Sequence, residues 1–330
     1  MRRGRVVLPN VESMKIRHLL RRYLSLPMRQ IAVWRYRVRA RLLCRMSLRT
    51  IEQIALAGSA VRSIFDARAR WVGVERWETG RDVLQLKSLK RRDVEVGVRL
   101  EKLIDQRLHF GRQLCIAEAW PDLQAVAAAL AQRIAELKAQ AAARPVIVAP
   151  FHYVSQYANI YVIDELRKRL GLESLGVVSG VPRNLYGDDD AMIPAIDVLH
   201  TYSGENRNGL GLRVIRSLKR NGVVVLFADV PPYTLTRFPM ETVGVTMFGR
   251  AARIHHGVFR LGAPVDAWLL PFYLRFERGR FGAQLCDAIP LAAENAPQRV
   301  ADCIERALTD NFARSLVTGH PSIYAFSPTR

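Results

Sequence analysis

What this 330-residue chain lacks narrows the field first. It has no run of about 18 uninterrupted apolar residues, so a hydrophobic membrane-spanning helix is not expected. The longest apolar runs, such as Val223–Ala228, are strand-sized. Four cysteines (Cys44, Cys115, Cys286, Cys303) lie far apart without a CxxC pair. That argues against a zinc site or a disulfide framework and suits reduced, buried thiols of a cytoplasmic protein. No GxSxG, Walker A or GxGxxG with a spaced acid is present, so the hydrolase-elbow, P-loop and dinucleotide-binding readings lose support. Repeats of 20–50 residues are absent too. With 49% apolar and 24% charged residues, the composition excludes a disordered, collagen-like or coiled-coil chain.

Acid is scarce where base is abundant. Lys and Arg number 50 against 30 Asp and Glu, a formal charge of +20. Residues 1–50 hold fourteen Lys/Arg and a single acid, Glu12, so +13 of that charge lies in the first fifty positions. A basic end of this kind points to an anionic partner: lipid headgroups, nucleic acid or an acidic protein. Within Met14–Leu26, Ile16, Leu19, Leu20, Tyr23 and Leu24 follow helical spacing, with Lys15, Arg17, His18, Arg21 and Arg22 mainly opposite and Pro27 as a stop. An apolar face with an aromatic, opposed by a cationic face, is the composition of a helix lying in a membrane interface. The same amphipathicity describes an ordinary surface helix packed on its domain. The mixture continues through Ile31, Val33, Trp34, Tyr36 and Val38 among Arg35, Arg37 and Arg39. An apolar core typical of a secretory signal is not seen.

The rest divides by texture into a helical region, 51–144, and an α/β core, 145–330. In the first, Leu100, Leu103, Ile104 and Leu108 share a helix face. Trp120-Pro121-Asp122 marks a boundary before the alanine-rich helix Leu123–Ala143. After Pro145, Val146–Pro150, Leu175–Val178 and Val223–Ala228 read as buried strands. Ser155–Leu170 and Gly209–Arg220 read as helices. A helix is expected over Arg253–Leu261, then a strand over Val265–Arg275 that Pro271 marks as edge or bulged. Phe281–Asp287 pairs with that strand through a turn at Arg278-Gly279, and Gln298–Leu316 closes the chain as a helix. Strands alternating with helices imply an α/β fold: a largely parallel central sheet flanked by helices on both faces, with a helical N-terminal region.

Chemistry in such folds gathers just beyond the strand ends. His152 directly follows the strand Val146–Pro150 and precedes a helix, where a histidine can serve as general base or be a structural residue satisfied by backbone. Asp229 follows the strand Val223–Ala228, where an acid can orient a base, bind a substrate hydroxyl or cap a turn. Met247–Ala252 leads to the paired His255 and His256, which lack a third metal ligand at suitable spacing. The Asp188-Asp189-Asp190 cluster reads as a solvated loop that can also reach toward a site.

The run Gly222–Phe272 resembles the late acyltransferases of lipid A biosynthesis, the lauroyl and myristoyl transferases. The resemblance rests on a strand ending in an Asp-containing turn, a Phe-Gly segment at Phe248-Gly249, a helix, and the strand around Gly262-Ala263-Pro264. It extends over roughly residues 95–326, with Arg107–Arg112 and Ala119-Trp120 upstream and His320-Pro321 to Tyr324 downstream. It implies a glycerolipid-acyltransferase-like fold. The activity implied is transfer of a fatty acyl chain from acyl carrier protein or acyl-CoA to a hydroxyl of a lipid or glycolipid, with no cofactor. His152 falls where the family places its catalytic base. Arg183 lies near the family's arginine segment, in a role of oxyanion or phosphate binding. Asp229 matches the first acid of an acidic turn.

One departure stands out. The resembled family's motif is His-x4-Asp/Glu, with a carboxylate directly after the four variable residues that follow the histidine, and here that position is Tyr157. Tyr157 can hold the ring by a hydrogen bond without balancing its charge, or another acid such as Asp229 can substitute; otherwise binding is retained without turnover. The resemblance also explains the charge twice over, since acyl carrier proteins are acidic and inner-leaflet lipids anionic. Family members commonly carry a hydrophobic N-terminal anchor, in whose place this chain has the arginine-rich stretch. Peripheral attachment to the cytoplasmic face of a bacterial inner membrane is therefore expected. Nucleic-acid binding through residues 1–50 has the charge but no recognition module.

Overall fold

The computed structural model describes residues 30–31, 34–114, 119–141, 144–179, 195–200, 202–203, 206–207, 209–232, 241–318 and 324. The Ile16–Leu24 face, Cys115, Arg183, the Asp188–Asp190 cluster and His320-Pro321 lie outside them.

A helical stretch over 34–45 leads into α1 (Leu48–Phe65), α2 (Ala67–Glu78), α3 (Arg91–Leu114) and α4 (Pro121–Gln140). Ser47 caps α1, its hydroxyl accepting from the Thr50 amide, and Pro121 occupies the first turn of α4, where a missing N–H costs nothing. The helical face expected from Leu100, Leu103, Ile104 and Leu108 is buried, in one core with Ala40, Leu43, Ile51 and the strands of the sheet.

The sheet follows. Its strands are β1 (Val146–Pro150), β2 (Leu175–Ser179), β3 (Ile196–His200) and β4 (Val223–Leu226). A hairpin, β5 (Thr242–Met247) with β6 (Arg250–His255), stands apart. The chain returns to the sheet as β7 (Trp268–Glu277), β8 (Arg280–Leu285) and the short β9 (Ile289–Pro290). The order is β8-β7-β1-β4-β2-β3, with β9 also on β7. All pairings from β7 to β3 are parallel, and β8 and β9 pair antiparallel with β7. Helices α5 (Gln156–Arg169), α6 (Leu210–Asn221), α7 (Gly257–Gly262) and α8 (Ala296–Asn311) complete a mixed α/β fold with a helix-flanked central sheet. Strands β1 and β4 are buried along their whole length, which is why they read as continuous apolar runs rather than alternating ones.

Four local expectations change. Arg253–His255 belongs to a strand, because Phe248 and Gly249 both take positive φ (50° and 69°) and form the tight turn that folds β6 back on β5; the helix starts only at Gly257. Pro271 is in an interior strand, between β8 and β1. Its carbonyl accepts from the Cys286 amide where β8 gives way to β9, so its ring nitrogen, on the same side of the strand, faces that break and no ladder bond is lost. The closing helix stops at Asn311, and the single 3₁₀ turn Phe312–Arg314 redirects the chain so that Ser315 bridges Tyr153. Strand β3, at the sheet edge, had no apolar run to announce it.

The turn at Arg278-Gly279 forms as its sequence suggests, with φ of 53° and 75°. Its tip docks on α1. The Gly279 amide donates to Glu52 at 2.8 Å, and a Cβ on Gly279 would sit 2.5 Å from the Arg49 nitrogen.

A candidate catalytic dyad beyond the strand ends

Strands β1 and β4 are parallel neighbours, so their carboxyl ends open on the same edge of the sheet. His152 follows the first and Asp229 the second. The chain leaves β1 toward β2 on one side and leaves β4 toward β7 on the other, the kind of crossover where a crevice forms.

Two hydrogen bonds join the pair across 77 residues. Asp229 Oδ1 lies 2.7 Å from His152 Nδ1, and Asp229 Oδ2 accepts the His152 backbone amide at 2.6 Å. An ionised carboxylate can only accept, so Nδ1 carries the ring proton and the Nε2 lone pair is left as the base. Asp229 is buried while the imidazole keeps 16% of its side-chain surface, so the acid is shielded and the ring reachable. The Tyr324 hydroxyl donates to the Asp229 carbonyl at 2.7 Å, fixing the acid's backbone from behind. Burial, with Asp229 beside it, holds the Tyr324 phenol well above its usual range, so it stays a donor. Phe227 packs on the imidazole at 4.4 Å between ring centroids.

The backbone at His152 is held as firmly. The Phe151 amide donates to the Phe272 carbonyl, extending the β1–β7 ladder one residue past the strand. Val154 then takes a left-handed φ of 68°, a conformation that costs a β-branched residue on the order of 1–3 kcal/mol. Flanking bonds hold it there: the Val154 amide donates to the Arg314 carbonyl, and the Leu316 amide to the His152 carbonyl, each at 2.8 Å. This bend turns the chain from β1 into α5, and the 3₁₀ turn after α8 supplies its partners.

Tyr157 sits in the first turn of α5, half-buried, its ring 5.3 Å from that of His109 on α3. Its amide points to Asp105 at 3.4 Å. Asp105 also accepts from the hydroxyl of Ser155, the α5 cap, at 2.5 Å. A carboxylate from α3 thus serves the N-terminus of α5, where unpaired amides and the helix dipole favour negative charge. Burial pushes the Asp105 carboxyl up, and its hydrogen bonds from Ser155 and the α5 amides pull it down. One turn earlier, burial and neighbouring Asp105 push Glu101 up to about 7, against the pull of Arg76 and His152.

The structure therefore brings His152 and Asp229 into direct contact and places Tyr157 against α3. Arg183 falls outside the described residues. Glu101 and Asp105 escaped the sequence reading, although their spacing with His109 (i, i+4, i+8) beside the buried Leu100/Ile104/Leu108 stripe marks a polar edge facing inward. His255 and His256 are separated by their settings: burial lowers His255, while His256 is half-exposed with Glu241 at 3.7 Å. Among the described residues, no group of three or more His, Cys, Asp or Glu is placed to hold a metal ion.

A partly exposed imidazole with its Nδ1 on a buried carboxylate can take a proton from a hydroxyl and return it to a leaving group. No protein-family model matches the chain, and no curated protein matches its sequence.

Proposed function

We propose that the protein is an acyltransferase that moves a fatty acyl chain from a thioester donor, acyl carrier protein or acyl-CoA, to a hydroxyl of a lipid or glycolipid. His152 Nε2 removes the proton as the hydroxyl oxygen attacks the thioester carbonyl. The tetrahedral intermediate collapses with cleavage of the C–S bond, and the imidazolium returns its proton to the departing thiolate. Asp229 holds the ring in the productive tautomer and balances the imidazolium charge.

The observation that carries this reading is the double hydrogen bond from Asp229 to His152. Tyr157 stands where the resembled family has its acid, and the acid of β4 supplies at Nδ1 the charge that position would have given. Arg183 is assigned the oxyanion or phosphate role by resemblance alone. Residues 1–45, with their basic and apolar faces, are proposed to attach the protein reversibly to the cytoplasmic face of an anionic membrane, and the acidic carrier protein is its proposed partner. No helix of the described residues is long and apolar enough to cross a membrane.

The test is transfer of radiolabelled acyl groups from acyl carrier protein, and separately from acyl-CoA, to a total lipid extract. Product formed by the wild type and lost in His152→Ala supports the proposal. Product formed equally by both overturns the mechanism. The absence of carboxylate at position 157 favours a second reading, a protein that binds lipid or acyl carrier without turnover. Stable binding of acyl carrier protein with no transfer to any lipid in the extract would establish that reading instead.

A further inference from the structure

Helices α1 and α2 meet with only Asp66 between them, and the corner so formed carries a cluster of large apolar side chains in water. Phe65 is 84% exposed, Ile64 70%, Trp71 66% and Val61 58%. Single exposed apolar residues are ordinary, but four large ones within eleven positions, two of them aromatic, form a patch of the kind that marks an interaction surface. They are not a fraying end: α1 is capped by the Ser47 hydroxyl, the Asp66 amide closes it on the Arg62 carbonyl, and Gly73 of α2 packs directly on Glu95 of α3.

The charges around the corner are mainly basic. Arg62, Arg68 and Arg70 stand beside a single acid, Asp66, and that acid is paired with Arg62 at 2.7 Å. The surface is thus apolar at its centre and cationic around it. Aromatic and aliphatic side chains interleaved with arginine match the headgroup–acyl boundary of an anionic bilayer, where rings enter the interface and guanidinium groups pair with phosphate.

We propose that the α1–α2 corner is a membrane-insertion element, its occupant an anionic phospholipid bilayer, in which Ile64, Phe65 and Trp71 enter the interface. The inference rests on the reading that the protein works at a membrane, and it supplies a folded contact separate from residues 1–45. A basic segment alone gives salt-sensitive, reversible adsorption; an apolar corner adds a second signal that orients the folded body on the surface. High salt should then weaken binding without abolishing it, because screening acts on the charges and leaves apolar insertion intact.

The experiment uses the full-length protein with vesicles of phosphatidylglycerol and phosphatidylethanolamine, and with phosphatidylcholine as the neutral control. Acyl chains brominated near the headgroup quench tryptophan that enters the interface. The wild type should show a quenched component that Trp71→Phe lacks. The double variant Ile64→Ser/Phe65→Ser should keep its thermal unfolding temperature and bind the anionic vesicles about tenfold or more weakly. Equal quenching of wild type and Trp71→Phe, or unchanged affinity of the double variant, overturns the inference. So does a change in oligomeric state in that variant, which would assign the patch to a second copy of the chain. Vesicle binding without Trp71 quenching sinks this inference while leaving the membrane reading intact. Quenching without acyl transfer to any lipid leaves this inference intact and counts against the acyltransferase reading.

Discussion

The Asp229 carboxylate grips His152 twice, one oxygen on the ring and the other on the backbone amide of the same residue. A side chain held only at its ring can swing; one whose backbone is pinned by the same carboxylate has its imidazole and its chain path set together. Asp229→Asn keeps the shape and removes the charge, and its amide NH₂ opposes the Nδ1–H. Acyl transfer should fall by about 10²- to 10⁴-fold, with donor binding little changed. His152→Ala should abolish transfer while the circular dichroism spectrum stays native. Activity within threefold of wild type in Asp229→Asn would remove the dyad from the mechanism.

Tyr157 gives a contrasting expectation. With Nδ1 already on Asp229, a carboxylate at position 157 has no vacant role, and Tyr157→Glu should not raise turnover. It adds negative charge at a helix start where Asp105 already resides and removes the ring packed on His109, so the variant should unfold at a lower temperature. Tyr157→Phe loses at most one hydrogen bond, about 0.5–1.5 kcal/mol. Parallel measurement of turnover and unfolding temperature checks both, and a gain of activity in Tyr157→Glu would contradict the assignment of Asp229.

Glu101 should make stability depend on pH. Its carboxyl is raised from 4.5 to about 7 by burial, so the folded state holds a proton that the unfolded chain releases. The favoured form is the neutral one: its contribution is full below the unfolded pKa and is lost as pH rises toward the folded one. Asp105 is displaced in the same direction, while Arg76 and His152 oppose the shift at Glu101. Wild-type stability should therefore decline between pH 4.5 and 7 more steeply than that of Glu101→Gln, which cannot ionise. Unfolding by urea across that range reads the two slopes; identical slopes would show that Glu101 ionises alike in both states.

The hairpin tip offers a purely structural test. Gly279→Ala introduces a Cβ into the backbone of Arg49 at a φ of 75°, so the tip must lift from α1 and release its bond to Glu52. A loss of about 1–3 kcal/mol is expected. Acyl transfer at low temperature should be unaffected, because the tip lies beyond Glu277, about 20 Å along β7 from Phe272, the residue that pairs with Pro150.

By itself the sequence determined those features that depend on neighbours in the chain. The Val146–Pro150 and Val223–Leu226 runs are strands because unbroken apolar residues, most of them β-branched, suit a strand buried on both faces. The Arg278-Gly279 turn is set by residues that separate two such segments, and His152 and Asp229 were both visible as polar residues at strand ends. Which strands become neighbours is not a local property. Only the tertiary structure decided that β4, rather than β2, lies against β1, and with it that Asp229 meets His152. The same holds for Asp105, whose role depends on α3 crossing the start of α5, and for Pro271, interior because a break in the adjoining strand spares it a donor. Periodicity records which face of an element is buried; the partner that buries it, and the side chains that thereby converge, follow from packing between segments far apart in the chain.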